Sequence, residues 1–309
     1  MAANGSSKSQ QGSAVQFVPP NDDARRKAIG PVDQFPLTVR RLLDPTGFTL
    51  IGAPGPEDWL ANQSEPGQTF REFAQSHPNF PDATRRTICL QPLDEFPADG
   101  PSLSVLKNFT EAFFAMPVRI LPVVPHLDKV QSRISSSTGQ RQLFTPDMLS
   151  MLAQRLPRDA YCLLGVTLQD LYPDPAWNYV FGQASFSQRV GVYSLLRYDP
   201  RFYGENSSKR SSLMLRRSCK LLAHETGHMF GINHCIYFRC AMNGTNHLGE
   251  TDASPLHLCP VDLRKLLVSI QFDPVARYAH LRDFCREAGF TDEAAWIDGQ
   301  LARVADIHG

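Results

Sequence analysis

The spacing of apolar residues changes between a strand-like and a helix-like period from about residue 67 onward. Apolar or alternating runs predict about five strands, which lie at 87–93, 117–124, 161–168, 177–186 and 189–198. Amphipathic segments predict helices at 69–76, 102–116, 145–156, 211–230, 260–271 and 274–288, and a last short helix that begins at a Thr291 cap. The unbroken apolar run at 161–168 is typical of a central buried strand. Elements in this order predict an α/β (α+β) chain whose C-terminal part is helical.

Two of these helices carry more specific signals. The sequence Thr145-Pro146-Asp147 predicts a helix start with a threonine cap and proline at the first position. In helix 211–230, the residues Leu215, Cys219, Leu222 and Met229 share one stripe, and His224 and His228 lie roughly opposite it. We therefore expect one side of this helix to pack on the sheet and the other to face a cleft.

The first 84 residues differ in composition from the rest of the chain. Residues 1–17 are mostly small or polar, which predicts a disordered N-terminal tail. Eight prolines lie between residues 18 and 66, and proline interrupts both helices and strand ladders. We expect residues 18–84 to be a proline-rich segment that packs on the core. Within it, residues 18–66 should wrap the core rather than form it, apart from a short helix near 37–43.

Charge and hydropathy exclude several classes of partner. The 31 Lys and Arg residues balance 31 Asp and Glu residues, so the chain lacks the cationic surplus that nucleic-acid binding needs. No apolar run approaches the roughly 20 residues of a membrane span, and the N-terminus has no apolar stretch typical of a signal peptide. We expect a cytoplasmic or nuclear protein that binds neither nucleic acid nor membrane, and we expect a monomer.

Histidine and cysteine are unevenly distributed, and this changes the picture most. Of the 9 His and 7 Cys residues, eight lie between positions 224 and 259. They are His224, His228, His234, His247, His257, Cys235, Cys240 and Cys259. An odd number of cysteines without a secretory signal favours metal ligation or buried free thiols over a disulfide framework.

Residues 224–234 form the motif HExxHxxGxxH. Two histidines four residues apart on a helix lie on one face, so His224 and His228 can bind the same Zn²⁺. Gly231 can adopt a positive φ at little cost and turn the chain so that His234 becomes the third ligand. Three protein ligands leave a fourth position for water, which is typical of a catalytic zinc, and Glu225 lies close enough to contact that water.

Two other interpretations of this motif remain. The histidines could lie incidentally on a solvated amphipathic helix, or the site could be an inert zinc site on a degenerate protease. The presence of Glu225 argues against the second, because an inactive enzyme would most simply have lost it.

The motif continues as HExxHxxGxxHC, followed by Cys240-Ala-Met242 and Cys259-Pro, and in this it resembles the archaemetzincin family of metallopeptidases. Further similar segments are GTNHL at 244–248, CPxxLRKL at 259–266, WNYVFGQAS at 177–185 and RVGVYSLLRY at 189–198. The resemblance covers roughly residues 85–290, and we expect a catalytic domain over 85–309.

The resemblance implies a metzincin-like fold, with a mixed, mostly parallel sheet that has an antiparallel edge strand, an active-site helix and C-terminal helices. It implies two zinc ions, with His224, His228 and His234 as catalytic ligands and Glu225 as general base. It also implies that Met242 lies beneath the metal, although a plain core methionine is the alternative.

The second zinc site departs from the family pattern of four cysteines. Cys235, Cys240 and Cys259 are present, but Asp262 stands where the fourth cysteine would be. A carboxylate oxygen can bind Zn²⁺, so we predict a Cys₃Asp site that binds structural zinc more weakly than four thiolates do. Three thiols without metal, and replacement of Asp262 by His257 or His247, remain alternatives.

The function that follows is hydrolysis of a peptide bond in a peptide or protein substrate, by Glu225-assisted attack of zinc-bound water. By resemblance, the substrate extends along an edge strand within 179–186. Two alternatives remain, a zinc-dependent peptide-binding module with negligible turnover and an interaction protein in which the cysteine cluster carries the function.

Overall fold

The computed structural model describes residues 17–124 and 127–305. Almost all of the predicted disordered tail, residues 1–16, lies outside the described residues. The strands within them are β1 (Thr87–Pro92), β2 (Val118–Ile120), β3 (Ser132–Ile134), β4 (Arg141–Phe144), β5 (Ala160–Thr167), β6 (Asp170–Tyr172), β7 (Gly182–Ser185) and β8 (Val190–Ser194). The helices are α1 (Asp22–Ile29), α2 (Leu37–Leu42), α3 (Trp59–Asn62), α4 (Phe70–Gln75), α5 (Leu103–Phe114), α6 (Thr145–Arg155), α7 (Arg210–Met229), α8 (Leu248–Ala253), α9 (Pro260–Ile270), α10 (Pro274–Glu287) and α11 (Thr291–Ala305).

A five-stranded sheet in the order β2-β1-β5-β8-β7 forms the centre of the molecule. The first four of these strands are parallel, and β7 runs antiparallel to β8 at the edge. Every residue of β5 is buried, in agreement with the apolar run that predicted a central strand. The structure therefore confirms the predicted mixed, mostly parallel α/β sheet with an antiparallel edge strand.

Helices cover both faces of this sheet. Alternate residues of β1 and β5 point to opposite faces, so that Leu90 and Leu164 enter one apolar cluster while Leu163 enters the other. The first cluster includes residues of α5, α7 and α10, and the second includes residues of α6. This layering holds α7 against the sheet, and α7 carries the first two histidines of the motif.

A second, three-stranded sheet in the order β3-β4-β6 was not predicted from the sequence. Its strands have three or four residues each, which is too short for a period of two to stand out. The Gln142 side chain donates to Asp170 at 2.8 Å, and Arg197 donates to both oxygens of Asp170 at 2.8 and 2.7 Å. This sheet depends on buried polar contacts that no hydrophobic pattern indicates.

Several predicted boundaries were wrong for identifiable reasons. The segment predicted as a strand at 117–124 is a strand only over Val118–Ile120, since prolines limit it at both ends. Thr145 is the first helical residue rather than the cap of α6, and its hydroxyl is hydrogen-bonded to Gln183. The helix from Thr291 extends over 15 residues and is not short.

The proline-rich segment contains more helix than expected. The helices predicted near 37–43 and at 69–76 are α2 and α4, whereas α1 and α3 were not predicted. Asn21 caps α1 by accepting a hydrogen bond from the backbone N–H of Ala24 at 2.9 Å. Of the helices in the described ranges, none has both the length and the apolar character needed to cross a bilayer.

Candidate active site and metal centre

Helix α7 ends at Met229, between the second and the third histidine of the motif. The backbone of Gly231 has a φ of 77°, as the sequence predicted for a sharp turn at this glycine. Its N–H donates to the carbonyl of His228 at 2.8 Å. A Cβ at this position would lie 3.1 Å from the Cβ of Pro78. The turn reverses the chain and brings His234 back to the helix.

The three histidines meet at one point. Their nearest ring nitrogens lie within 4.8 Å of one another, and the Nε2 atoms of His224 and His228 are 3.0 Å apart. Two nitrogens bound tetrahedrally to zinc at about 2.0 to 2.1 Å would be about 3.3 Å apart. The donor set and its spacing fit a zinc ion held by three imidazoles.

The Nδ1 atom of each histidine makes a hydrogen bond that fixes the tautomer of the ring. The Nδ1 atom of His224 lies 3.0 Å from the carbonyl oxygen of Ala241, and that of His228 lies 2.6 Å from the carbonyl oxygen of Ile232. The Nδ1 atom of His234 lies 2.7 Å from Oε1 of Glu65. These oxygens can only accept, so we assign the proton to Nδ1 in all three rings, which leaves Nε2 free to bind metal.

Burial favours the neutral, metal-binding form of the His224 and His228 rings. Desolvation, together with the neighbouring histidines, lowers the pKa of His224 well below its usual value. Desolvation and the proximity of His234 lower the pKa of His228 to about 4. At neutral pH these two imidazoles are therefore uncharged, which is the form that binds a metal cation.

Glu225 and Met242 are two further residues that the sequence assigned to this site. Glu225 lies on α7, and Met242 lies in the chain that follows the turn at Gly231. His224 and Glu225 are only 1% and 3% exposed, whereas His228, on the same face of α7, is half-buried. Met242 is fully buried, and a Cβ at Gly227 would collide with its sulfur. Met242 therefore packs directly under the helical turn between the first two histidines.

The second predicted cluster is also assembled. Cys235, Cys240, Cys259 and Asp262 are buried, and one ligand atom of each lies within 4.8 Å of the others. The sulfurs of Cys235 and Cys259 are 3.5 Å apart, far longer than a disulfide bond of about 2.05 Å. Oδ2 of Asp262 lies 3.3 Å from the Cys240 sulfur and 3.4 Å from the Cys259 sulfur. These separations suit four ligands around one zinc ion.

Lys265 is a member of this cluster that the sequence analysis missed. Its ammonium group donates to Oδ1 of Asp262 at 2.8 Å, and both side chains are buried. Desolvation, opposed in part by the Lys265 charge, raises the pKa of Asp262 to about 6. Burial opposes ionisation of Cys235, but hydrogen bonds from the other two thiols and from the backbone lower its pKa. Burial and the neighbouring thiols raise the pKa of Cys240 and Cys259 well above their usual value.

The two remaining histidines of the 224–259 region have other roles. His247 caps α8 by accepting from the backbone N–H of Glu250, and its Nε2 lies 3.1 Å from Asp58. His257 stacks on Trp296 with ring centroids 3.5 Å apart and pairs with Glu293 at 2.8 Å. The prediction that either could replace Asp262 is not supported, because the structure engages both elsewhere.

Three residues of the proline-rich segment contact the histidine site, and the sequence analysis missed them. Glu65 contacts His234, Trp59 packs edge-to-face on the His234 ring with centroids 5.2 Å apart, and Gln68 contacts the turn after α7. The Glu65–His234 contact spans 169 positions. No local period or motif marks these residues, so only the folded structure reveals them.

Comparison with known proteins identifies relatives of this chain. The model of peptidase family M54 matches residues 157–267. Archaemetzincin-2 of Rattus norvegicus is 36% identical over 284 residues, which are 80% of this chain and 79% of that protein. Archaemetzincin-2 of Homo sapiens is 34% identical over 264 residues, which are 76% of this chain and 73% of that protein.

A solved structure, archaemetzincin from Archaeoglobus fulgidus complexed with malonate, is also similar. It is 27% identical with a TM-score of 0.45, and the match covers 58% of this chain and 99% of that one. The α/β fold, the three-histidine site and the family match define a zinc metallopeptidase that acts on a peptide or protein. The chain belongs to the archaemetzincin family.

Proposed function

We propose that His224, His228 and His234 hold a catalytic zinc ion and that Glu225 is the general base for peptide-bond hydrolysis. The observation that carries this proposal is the convergence of the three ring nitrogens within 4.8 Å, each with its Nδ1 fixed by an acceptor oxygen. Glu225 follows the first ligand directly on α7 and is buried with it.

A zinc ion in this position would polarise the scissile carbonyl and lower the pKa of water to about 7. The Glu225 carboxylate takes a proton from the attacking water as the new C–O bond forms. The same carboxyl then gives that proton to the nitrogen of the leaving amine as the C–N bond breaks. A buried carboxylate suits this role because little solvent competes for the proton.

The substrate is proposed to extend along β7. Among the described strands, β7 is the last one on its side of the central sheet, and an extended peptide can add to such an edge through its backbone. Phe186 follows β7 directly, is 56% exposed, and its ring centroid lies 6.3 Å from that of His228. An apolar side chain of the substrate could therefore pack on Phe186 beside the metal.

Cys235, Cys240, Cys259 and Asp262 are proposed to hold a second, structural zinc ion. Its support is the buried, mutually close ligand set, in which three thiols and one carboxylate share a space with one lysine. Four protein ligands leave no position for substrate, which is typical of a structural site.

The proposed domain organisation rests on the packing of the proline-rich segment against α9. We propose a catalytic domain over 85–309 on which the segment 18–84 packs, as the pairing of α1 and α4 with α9 supports. The zero net charge supports an account without nucleic-acid partners, and we propose that the protein acts as a monomer.

Zinc removal and restoration tests the proposed reaction. The chain is stripped with a chelator, reloaded with stoichiometric zinc and incubated with a peptide library, and the products are identified by mass spectrometry. We expect cleavage to disappear with the metal and return with it. Intact peptides recovered from stoichiometrically loaded protein would contradict the proposal and would favour a peptide-binding module.

A further inference from the structure

The carboxylate of Glu65 is joined to the third histidine of the site. Its Oε1 lies 2.7 Å from Nδ1 of His234, and the Glu65 and His234 side chains are only 18% and 16% exposed. A ligating histidine whose other nitrogen donates to a carboxylate is more basic and is held in one ring orientation. Glu65 comes from the proline-rich segment, whereas His224 and His228 are oriented by backbone carbonyls of the catalytic domain itself.

Trp59 holds the Glu65 carboxylate in place. Its indole N–H donates to the same oxygen, Oε1 of Glu65, at 2.8 Å, and its ring lies at 85° to the His234 ring. The backbone N–H of Trp59 in turn lies 3.1 Å from both oxygens of Glu250. The indole thus contacts both members of the Glu65–His234 pair. The backbone N–H of Trp59 links this group to Glu250 of α8.

Gln68 holds the backbone that precedes His234. Its amide nitrogen donates to the carbonyl of Gly231 at 3.1 Å, and its amide oxygen accepts from the N–H of Asn233 at 3.1 Å. The side chain is buried, so both bonds are shielded from water. Gln68 therefore closes the turn that brings the third ligand to the site.

We propose that Glu65 is a positioning residue for the catalytic metal. In this proposal, the segment Trp59–Gln68 holds the ring of His234 and the backbone before it in the orientation that binds the metal. This inference rests on the proposed role of His234 as a zinc ligand. It means that the proline-rich segment is part of the active site, because among the described residues the acceptor for Nδ1 of His234 is Glu65 of that segment.

The test compares zinc affinity in the full-length chain, measured by competition with a chromogenic chelator. Glu65→Met keeps the side-chain length but removes the acceptor, and we expect it to weaken zinc binding at the histidine site about 10- to 100-fold. Glu65→Gln keeps an accepting oxygen, and we expect it to recover most of that loss. Glu65→Ala serves the same comparison should the methionine variant fail to fold.

Glu72→Met is the matched control, because Glu72 lies on the same segment and closes the capping box of α4 with Thr69 without contacting a histidine. It should lower the free energy of unfolding and leave zinc affinity unchanged. Zinc affinity of Glu65→Met within about twofold of wild type, or an equal loss in Glu72→Met, would overturn the inference. If His234→Ala also bound zinc as wild type does, the proposed metal site itself would be wrong.

Discussion

The two oxygens of the Asp262 carboxylate make different contacts. Oδ2 faces the sulfurs of Cys240 and Cys259, whereas Oδ1 accepts from the ammonium group of Lys265. A carboxylate can therefore serve a metal and a buried cation at once, which a single sulfur does less well. The sequence alone indicated the carboxylate, but Lys265 has significance only because burial removes water from both charges.

Removal of Asp262 should leave Lys265 as an uncompensated buried charge. We expect Asp262→Ala to lower the free energy of unfolding of the metal-free protein by about 3 to 5 kcal/mol, measured by urea denaturation. The double variant Asp262→Ala/Lys265→Met removes the stranded charge and should recover part of this loss. Equal stability of the single and the double variant would contradict this explanation, because removal of the Lys265 charge would then recover nothing.

The turn after α7 shows how one element sets the geometry of the site. Gly231 and Gly289 both follow a helix with positive φ, 77° and 75° respectively. Gly231 lies between His228 and His234 in the chain and against Pro78, whereas nothing lies within 4 Å of a Cβ placed on Gly289. Both glycines need a backbone with positive φ, but only Gly231 also affects the position of a histidine of the site. A comparison of the two therefore separates the cost of positive φ from the effect on the site.

Gly231→Ala should weaken zinc binding, and Gly289→Ala should not. Each substitution is expected to lower the free energy of unfolding by about 1 kcal/mol, because alanine is strained at a positive φ. Only the first also displaces the chain that carries His234, and we expect it to lower zinc affinity at least about 10-fold, measured by chelator competition. An unchanged zinc affinity in Gly231→Ala would mean that His234 does not depend on this turn.

At the same scale, the sequence predicted long, regular elements better than short ones. The strand β5 and the helices α7, α9 and α10 lie where the pattern placed them, since each has several turns or a fully apolar run. The strands β3, β4 and β6 were missed because they are short and depend on polar partners such as Asp170. Helix α1 was missed because the surrounding prolines obscured its capped start at Asn21.

For the molecule as a whole, the sequence predicted that the three histidines converge, but not which residues support them. The HExxHxxGxxH spacing is local, so the three histidines could be recognised before the fold was known. Glu65, Trp59 and Gln68 reach the site from more than 160 positions away, and such contacts are set only by how the segment 18–84 packs. A pattern read along the chain contains no information about that packing.

The whole-molecule account also predicts two zinc ions with separate roles. Zinc content measured by mass spectrometry should fall from two ions per chain in the wild type to one in Cys240→Ala, because the latter loses a ligand of the cysteine site only. Peptide cleavage per folded molecule should persist in this variant. One zinc per chain in the wild type, unchanged in Cys240→Ala, would remove the second site.

The most direct test of the proposed mechanism is kcat/KM for peptide cleavage by Glu225→Ala at the same zinc content as wild type. Glu225 is not among the ligand atoms that converge on the histidine site, so zinc binding should be retained. Loss of a general base predicts a fall in kcat/KM of about 10²- to 10⁴-fold. A zinc-loaded Glu225→Ala variant that cleaves as fast as wild type would contradict the account.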